Sequence, residues 1–232
     1  MKTKQTASAV LRQMVRTMVL VNLWLAASLG AVTAVEPDAP LRIVAFGDSL
    51  TAGYMLKPTE SFPAQLEAAL RAKGLAVEVA NAGVSGDTTA AGLERLDWAI
   101  PDGTDAVIVE LGANDALRGL APEEARANLD KILARLKARN IDVLLAGMAA
   151  PKNWGKTYED AFSAIYSDLA AAHGALLYPF FLDGVALDAK LNLADGLHPT
   201  GEGVGVIVAR ILPKVEELIA RVKARRLAAS KS

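Results

Sequence analysis

Cysteine is absent from the 232 residues, and histidine occurs only twice. The first absence excludes disulfides, thiolate catalysis, cysteine-ligated zinc and lipid attachment through a cysteine. The second leaves His173 and His198 as the two positions for an imidazole base. Aromatic residues make up 5% of the chain, and neither charge sign dominates, with a formal net charge of −1. Without a basic stripe, nucleic acid is not an expected partner. What the chain has in quantity is apolar: 52% of residues are hydrophobic, enough for the core of one sizeable domain.

The N-terminus differs from the rest. Lys2, Lys4, Arg12 and Arg16 precede any acidic residue, the first being Glu36. A largely apolar run from Met18 to Val32 follows and closes on Val32-Thr33-Ala34. A basic region, an apolar region and a small residue at the end describe a secretory signal over residues 1–34, cut after Ala34. An uncleaved membrane anchor is the alternative, but the run is short and Asn22 and Ser28 interrupt it. Losing the four basic residues would take the net charge from −1 to −5. The expected location is the periplasm of a Gram-negative cell, or otherwise the exterior, with no stable membrane insertion after cleavage. Residues 35–40 read as a linker and 41–232 as the domain.

Within that domain, short β-like runs alternate with helical ones. Strands are expected at 42–46, 76–80, 105–111, 141–147 and 175–178, whose Val, Ile and Leu content suits strands buried on both faces. The clearest helix is 122–139. Pro122 suits its first turn, Glu123 and Glu124 its positive end, and Lys137 and Arg139 its negative end. Ala125, Leu129, Ile132, Leu133 and Leu136 recur on one face. A second helix over 62–73 stops at Gly74. A third spans 202–227, where Pro213 should kink or split it. The pattern predicts an α/β fold, a three-layer sandwich around a mostly parallel five-stranded sheet.

Sites in such sheets form beyond the carboxyl ends of the strands. Gly47-Asp48-Ser49-Leu50 follows the first strand, Gly83-Val84-Ser85-Gly86-Asp87 the second and Gly112-Ala113-Asn114-Asp115 the third. Asp195-Gly196-Leu197-His198-Pro199 lies near the C-terminus. A serine hydroxyl needs a base within hydrogen-bond reach to act as nucleophile. His173 sits at an expected helix end, where a charged ring suits the dipole, so His198 is the better base for Ser49. Asp195, three residues earlier in a Gly- and Pro-punctuated turn, can hold the histidine Nδ1 and leave Nε2 free to take the serine proton. Donors for an oxyanion could come from the Ser49 and Gly86 N–H groups and the Asn114 side chain. Taken singly, each has an ordinary explanation: a helix cap for Ser49, a surface turn for Asp195 and His198, backbone needs for Gly86, a turn amide for Asn114.

Together these blocks resemble, in order, the four motifs of the GDSL or SGNH hydrolase family. Ser-Leu-Thr-Ala-Gly-Tyr (49–54), Asn-Ala-Gly-Val-Ser-Gly-Asp-Thr (81–88) and Glu-Leu-Gly-Ala-Asn-Asp-Ala-Leu-Arg-Gly (110–119) are similar to its bacterial periplasmic arylesterase, thioesterase and lysophospholipase branch. The likeness covers nearly all of 41–220. It implies a flavodoxin-like sheet of five strands, Ser49, Asp195 and His198 as a triad, Gly86 and Asn114 completing the oxyanion hole, and neither metal nor cofactor. Ala113 departs from the second glycine common before the asparagine. Two other motifs are near misses. Ser85 only approximates the elbow Gly-x-Ser-x-Gly, and Gly201-Glu202-Gly203-Val204-Gly205 lacks a glycine at 206 and follows no strand.

The expected reaction is cleavage of a carboxylic ester or thioester, lysophospholipids included, through an acyl-enzyme on Ser49. The resemblance places Leu117 and Leu120 beside the acyl chain, with the stretch 151–158 as another wall; ordinary loop packing is the alternative. The competing readings are a carbohydrate O-deacetylase, a non-catalytic binding module, and a metal-dependent phosphodiesterase using Asp48, Asp87, Asp195 and His198 as ligands.

Overall fold

The structure is a computed structural model and describes residues 39–231. The leader expected over 1–34 lies outside the described residues, as does most of the 35–40 linker. Five strands form one parallel sheet: β1 (Leu41–Gly47), β2 (Val77–Gly83), β3 (Ala106–Glu110), β4 (Asp142–Ala146) and β5 (Leu176–Tyr178). Their order is β2-β1-β3-β4-β5. β1 therefore lies between the strands that follow it, and the direction of winding reverses between β1 and β3. That reversal opens a crevice at the carboxyl ends.

Seven helices accompany the sheet among the described residues: α1 (Ser49–Ala52), α2 (Phe62–Ala72), α3 (Thr89–Ala99), α4 (Ala113–Leu117), α5 (Pro122–Ala138), α6 (Lys156–His173) and α7 (Gly201–Ala229). α2 packs on α7, while α3 packs on α5 and α5 on α6, giving the two outer layers. Every residue of β3 is buried, which is why its sequence is an unbroken apolar run up to Glu110. In α5 the buried positions are Ala125, Leu129, Ile132, Leu133 and Leu136, the face read from the spacing, with Pro122 in the first turn. The outer edge of β2 is covered by α2. Glu67 accepts the Val79 N–H at 2.7 Å, and Arg71 Nε donates to the Val77 carbonyl at 3.0 Å. These contacts occupy two of the backbone groups that the edge would otherwise offer to another strand.

Two expectations need correction. β2 runs on to Gly83, three residues beyond the apolar stretch, because Asn81 and Gly83 still pair with Ala45 and Gly47. α7 is one continuous helix with Pro213 inside it, not a split one. Pro213 and Ala209, whose carbonyl loses its helical donor, are both exposed, so water can satisfy that carbonyl. Val208, Ile211, Val215 and Leu218 meanwhile keep the buried face unbroken. Pro213→Ala should restore the missing bond and raise stability by about 1–2 kcal/mol, allowing for the looser unfolded chain. A urea midpoint that stays put or falls would contradict this account of the helix.

Candidate active site

The sheet register brings three strand ends level: Gly47 pairs with Gly83 on one side and with Glu110 on the other. Beyond Gly47 a single residue, Asp48, turns the chain into α1, and its Oδ1 accepts the Leu50 N–H at 3.0 Å. Ser49 is thereby the first residue of α1, placed over the crevice by the strand beneath it.

The turn at 195–198 faces Ser49 from a segment 149 residues away. His198 Nε2 lies 2.9 Å from Ser49 Oγ, and His198 Nδ1 lies 2.7 Å from Asp195 Oδ2. The other carboxylate oxygen of Asp195 accepts the Leu197 N–H at 2.9 Å and the His198 N–H at 3.0 Å. These bonds, the His198 and Leu197 backbone N–H groups first and the imidazole next, hold the Asp195 carboxyl down at about 2. The turn is braced in turn: the Leu193 N–H donates to the His198 carbonyl at 2.7 Å, and Asn192 Nδ2 donates to the Val185 and Asp188 carbonyls. With Asp195 as acceptor, Nδ1 carries the proton and Nε2 presents a lone pair to the serine hydroxyl. The Tyr54 ring packs on the imidazole, centroids 4.5 Å apart.

Of the three donors expected for an oxyanion, two are open. Neither the Ser49 N–H nor the Gly86 N–H has an acceptor among the described residues. Gly86 sits in the turn after β2 at φ +87°, a conformation that favours glycine. Asn114 is different. Its Nδ2 donates to Asp48 Oδ2 at 3.1 Å and to the Asp87 carbonyl at 3.0 Å, so both amide hydrogens are engaged. α4 clasps the loop after β2 at two further points. The Asp115 carboxylate accepts from the Thr89 N–H and hydroxyl at 2.8 and 2.6 Å, and Arg118 donates to the Gly86 carbonyl at 2.9 Å.

Residues 45–206 match the model of the GDSL-like lipase/acylhydrolase family. The arylesterase of Vibrio mimicus is 41% identical over 166 residues, which is 71% of this chain and 83% of the relative. The Escherichia coli protein named thioesterase 1/protease 1/lysophospholipase L1 is 36% identical over 178 residues, 76% of this chain and 84% of its own. Among solved structures, AlinE4, an SGNH-hydrolase family esterase, superposes with a TM-score of 0.66 at 50% identity, covering 77% of this chain and 96% of its own. The chain belongs to the GDSL-like lipase/acylhydrolase family. Its chemistry is ester hydrolysis of the serine-hydrolase type.

Other residues of this family member fall where their surroundings explain them. His173 ends α6 with Nε2 2.7 Å from Asp130. Ser85 is exposed in the turn before Gly86. Asp87 pairs with Arg95 at 2.6 Å and Asp48 with Asn114, and no group of three acidic, His or Cys side chains among the described residues is arranged to hold a metal ion. In the stretch 151–158, Trp154 Nε1 donates to the Ala116 carbonyl at 2.9 Å and the Tyr158 hydroxyl to the Leu120 carbonyl at 2.7 Å. These aromatic residues brace α4 and its following loop, while Leu117 stays exposed.

Sequence reasoning missed the role of two carboxylates beneath Ser49, one of which it weighed only as a metal ligand. Asp48 and Glu110 are both fully buried. Burial lifts the Asp48 carboxyl to about 6, and burial with the nearby Asp48 charge lifts Glu110 well above the ordinary range. The available signal was a carboxylate closing an otherwise apolar strand.

Proposed function

We propose that this family member is an exported acyl-ester hydrolase in which Ser49 is the nucleophile, His198 its general base and acid, and Asp195 the carboxylate that orients the imidazole. The observation that carries this reading is the unbroken chain of contacts from Asp195 Oδ2 through both ring nitrogens to Ser49 Oγ, 2.7 and 2.9 Å long. As Oγ attacks the ester carbonyl, its proton passes to Nε2 and the carbonyl electron pair moves onto oxygen. The Ser49 and Gly86 N–H groups, open in the free enzyme, receive that oxyanion. Asn114 joins them by yielding one of its present bonds. A charged acceptor outbids the neutral Asp87 carbonyl, because charge-assisted hydrogen bonds are roughly twice as strong as neutral ones. His198 then protonates the departing alcohol or thiol, and water repeats the sequence to free the acid. Asn114 is thereby a donor that must be drawn off one of its two resting partners.

The rim supports an apolar acyl or aryl group. Tyr54, Val84, Leu117 and Leu197 flank the site residues in sequence and are all exposed. The names of two relatives, arylesterase and thioesterase/lysophospholipase, support aryl esters, acyl thioesters and lysophospholipids as the substrates to try. The leader over 1–34 supports export, to the periplasm in a Gram-negative cell, with 35–40 as linker and 41–232 as the folded hydrolase. No helix among the described residues is long and apolar enough to cross a membrane.

The test is a fluorophosphonate reaction on purified residues 35–232, followed by peptide mass mapping, beside a chain-length series of p-nitrophenyl esters, acyl-CoA and lysophospholipid. Stoichiometric labelling of Ser49 with loss of all ester cleavage is the expected result. Label on another residue, or hydrolysis that disappears on exhaustive chelation, overturns the assignment.

A further inference from the structure

Under the Ser49 turn lies a polar cluster that the reaction just described does not use. Glu110 Oε2 accepts the Thr51 hydroxyl at 2.7 Å and the Asp48 N–H at 3.4 Å. Glu110 Oε1 has no hydrogen-bond partner among the described residues. The fit is close on the third side as well. A Cβ on Gly47 would collide with Thr51 Oγ1 and with Glu110, so glycine at 47 is what lets this pair meet. Glu110 thus touches the segment that carries Ser49 at two points, one residue before it and two after it. It also lies beside Asp48, whose other carboxylate oxygen holds Asn114.

Two fully buried carboxylates side by side cannot both ionise cheaply. The charged and titratable groups around them offset only a part of the cost of burial, His198 drawing the Asp48 carboxyl down and Asp87 pushing it up. On α3, Arg95 donates to the Gly47 carbonyl at 2.9 Å, but its charge is already met by Asp87 of the β2–α3 loop at 2.6 Å. From α4, Asp115 adds negative charge and is bonded to Thr89. From α6, Tyr166 donates its hydroxyl to the Leu111 carbonyl, and burial and the nearby carboxylates push that phenol upward. His198 lies across Ser49 and is bonded to Asp195. A single retained proton is the remaining way to balance the pair. Oε2 is occupied as an acceptor twice over, which leaves Oε1 as the oxygen to carry it. A hydroxyl there forgoes one bond, whereas a bare anionic oxygen would forgo its donors entirely.

We propose that Glu110 is a positioning residue for Ser49 and Asn114, acting through Thr51 and the Asp48 turn, and that it holds this role only while the buried Glu110–Asp48 pair keeps one proton. The inference rests on the assignment of Ser49 as nucleophile and deepens it. The resting arrangement at neutral pH is Asp48 ionised, accepting from Leu50 and Asn114, with Glu110 neutral below it. Loss of the last proton sets two like charges under α1, and the turn that carries the nucleophile loosens.

The sign follows from the direction of the shifts. Both carboxyls hold protons more tightly when folded than when unfolded, so the stability they contribute is whole at low pH. It is lost as pH rises from the ordinary carboxylate range through about 6 for Asp48 and further for Glu110. Glu110→Gln copies the neutral acid at every pH and removes its share of that loss.

The experiment compares wild type, Glu110→Gln, Glu110→Ala and Thr51→Val by kcat, KM, fluorophosphonate labelling of Ser49 and Tm, each from pH 5 to 10. Glu110→Gln should keep kcat within about twofold at pH 7 and lose less Tm than wild type between pH 7 and 10. Glu110→Ala, where it folds, should lose about tenfold or more in kcat with KM little changed, the worth of a lost buried hydrogen bond. Thr51→Val carries the same expectation in smaller measure where Glu110→Ala does not fold. Parallel Tm profiles for wild type and Glu110→Gln overturn the shared proton, and wild-type kcat in folded Glu110→Ala or Thr51→Val overturns the positioning role. Failure of wild-type Ser49 to label would instead strike the underlying assignment, so the two failures are distinct.

Discussion

Ser49→Ala should reduce ester hydrolysis by about 10⁴–10⁶-fold while leaving the fold unchanged. The size of the loss follows from what remains. Without Oγ no acyl-enzyme forms, and the His198 imidazole can at best activate water in a site shaped for a closer nucleophile. The Ser49 and Gly86 N–H groups still bind the developing oxyanion, which sets the residual rate above that of free solution. The fold should survive because Ser49 Oγ bonds only His198 among the described residues, and the cap of α1 comes from Asp48. The check is a steady-state assay on the purified variant beside a thermal melt. Turnover within tenfold of wild type, with an unchanged Tm, removes Ser49 from the chemistry. Total loss accompanied by a collapsed Tm would instead mean that the hydroxyl holds the turn together.

Much of the fold could be read from residue order alone, for physical reasons that differ by element. β3 was legible because a strand covered on both faces has no polar positions to interrupt it. α5 was legible because its caps, end charges and buried stripe all agree. Pro213 misled because the rule against internal proline is a rule about an unmet carbonyl and a clash. Both are tolerable when the residues concerned face water and the opposite side is anchored by a run of buried aliphatics.

The site divides in the same way. The Asp195–His198 contact is local, so a three-residue spacing was enough to suggest it. The approach of His198 to Ser49 joins segments 149 residues apart and was reachable only through the strand-end rule and the family resemblance. Beyond that, sequence falls silent. That Asn114 rests on Asp48 and on the Asp87 carbonyl depends on how closely α4 approaches the loop after β2, a distance no local pattern encodes. Glu110 was hidden by its position, the last residue of an apolar strand, where a carboxylate reads as the start of the solvent rim instead of the floor of the site.

Asp195→Asn separates orientation from bulk at the other end of the contact chain, and its expected cost is about 10⁴-fold in kcat. Asparagine keeps one oxygen for the Leu197 and His198 N–H groups, so the turn itself should hold. Its other terminus is an NH₂ group, placed where Asp195 Oδ2 now accepts from Nδ1. Two donors cannot face each other, so Nδ1 gives up its proton and accepts, and the ring proton moves to Nε2. The nitrogen facing Ser49 Oγ then has no lone pair to offer. The imidazolium that forms during attack also loses its compensating charge. Wild-type Asp195 stays ionised down to about 2, held there by the His198 and Leu197 backbone bonds, so its protonation does not limit activity in mild acid. Sign and window agree: a lowered carboxyl contributes above its ordinary value and is lost only as pH falls through about 2. The decisive comparison is kcat for Asp195→Asn and Asp195→Ala under identical conditions. Alanine leaves the ring free to choose its tautomer, whereas asparagine fixes the wrong one, so asparagine should be no better than alanine despite its closer shape. An asparagine variant retaining a tenth or more of wild-type kcat would show that the imidazole does not take its orientation from this carboxylate.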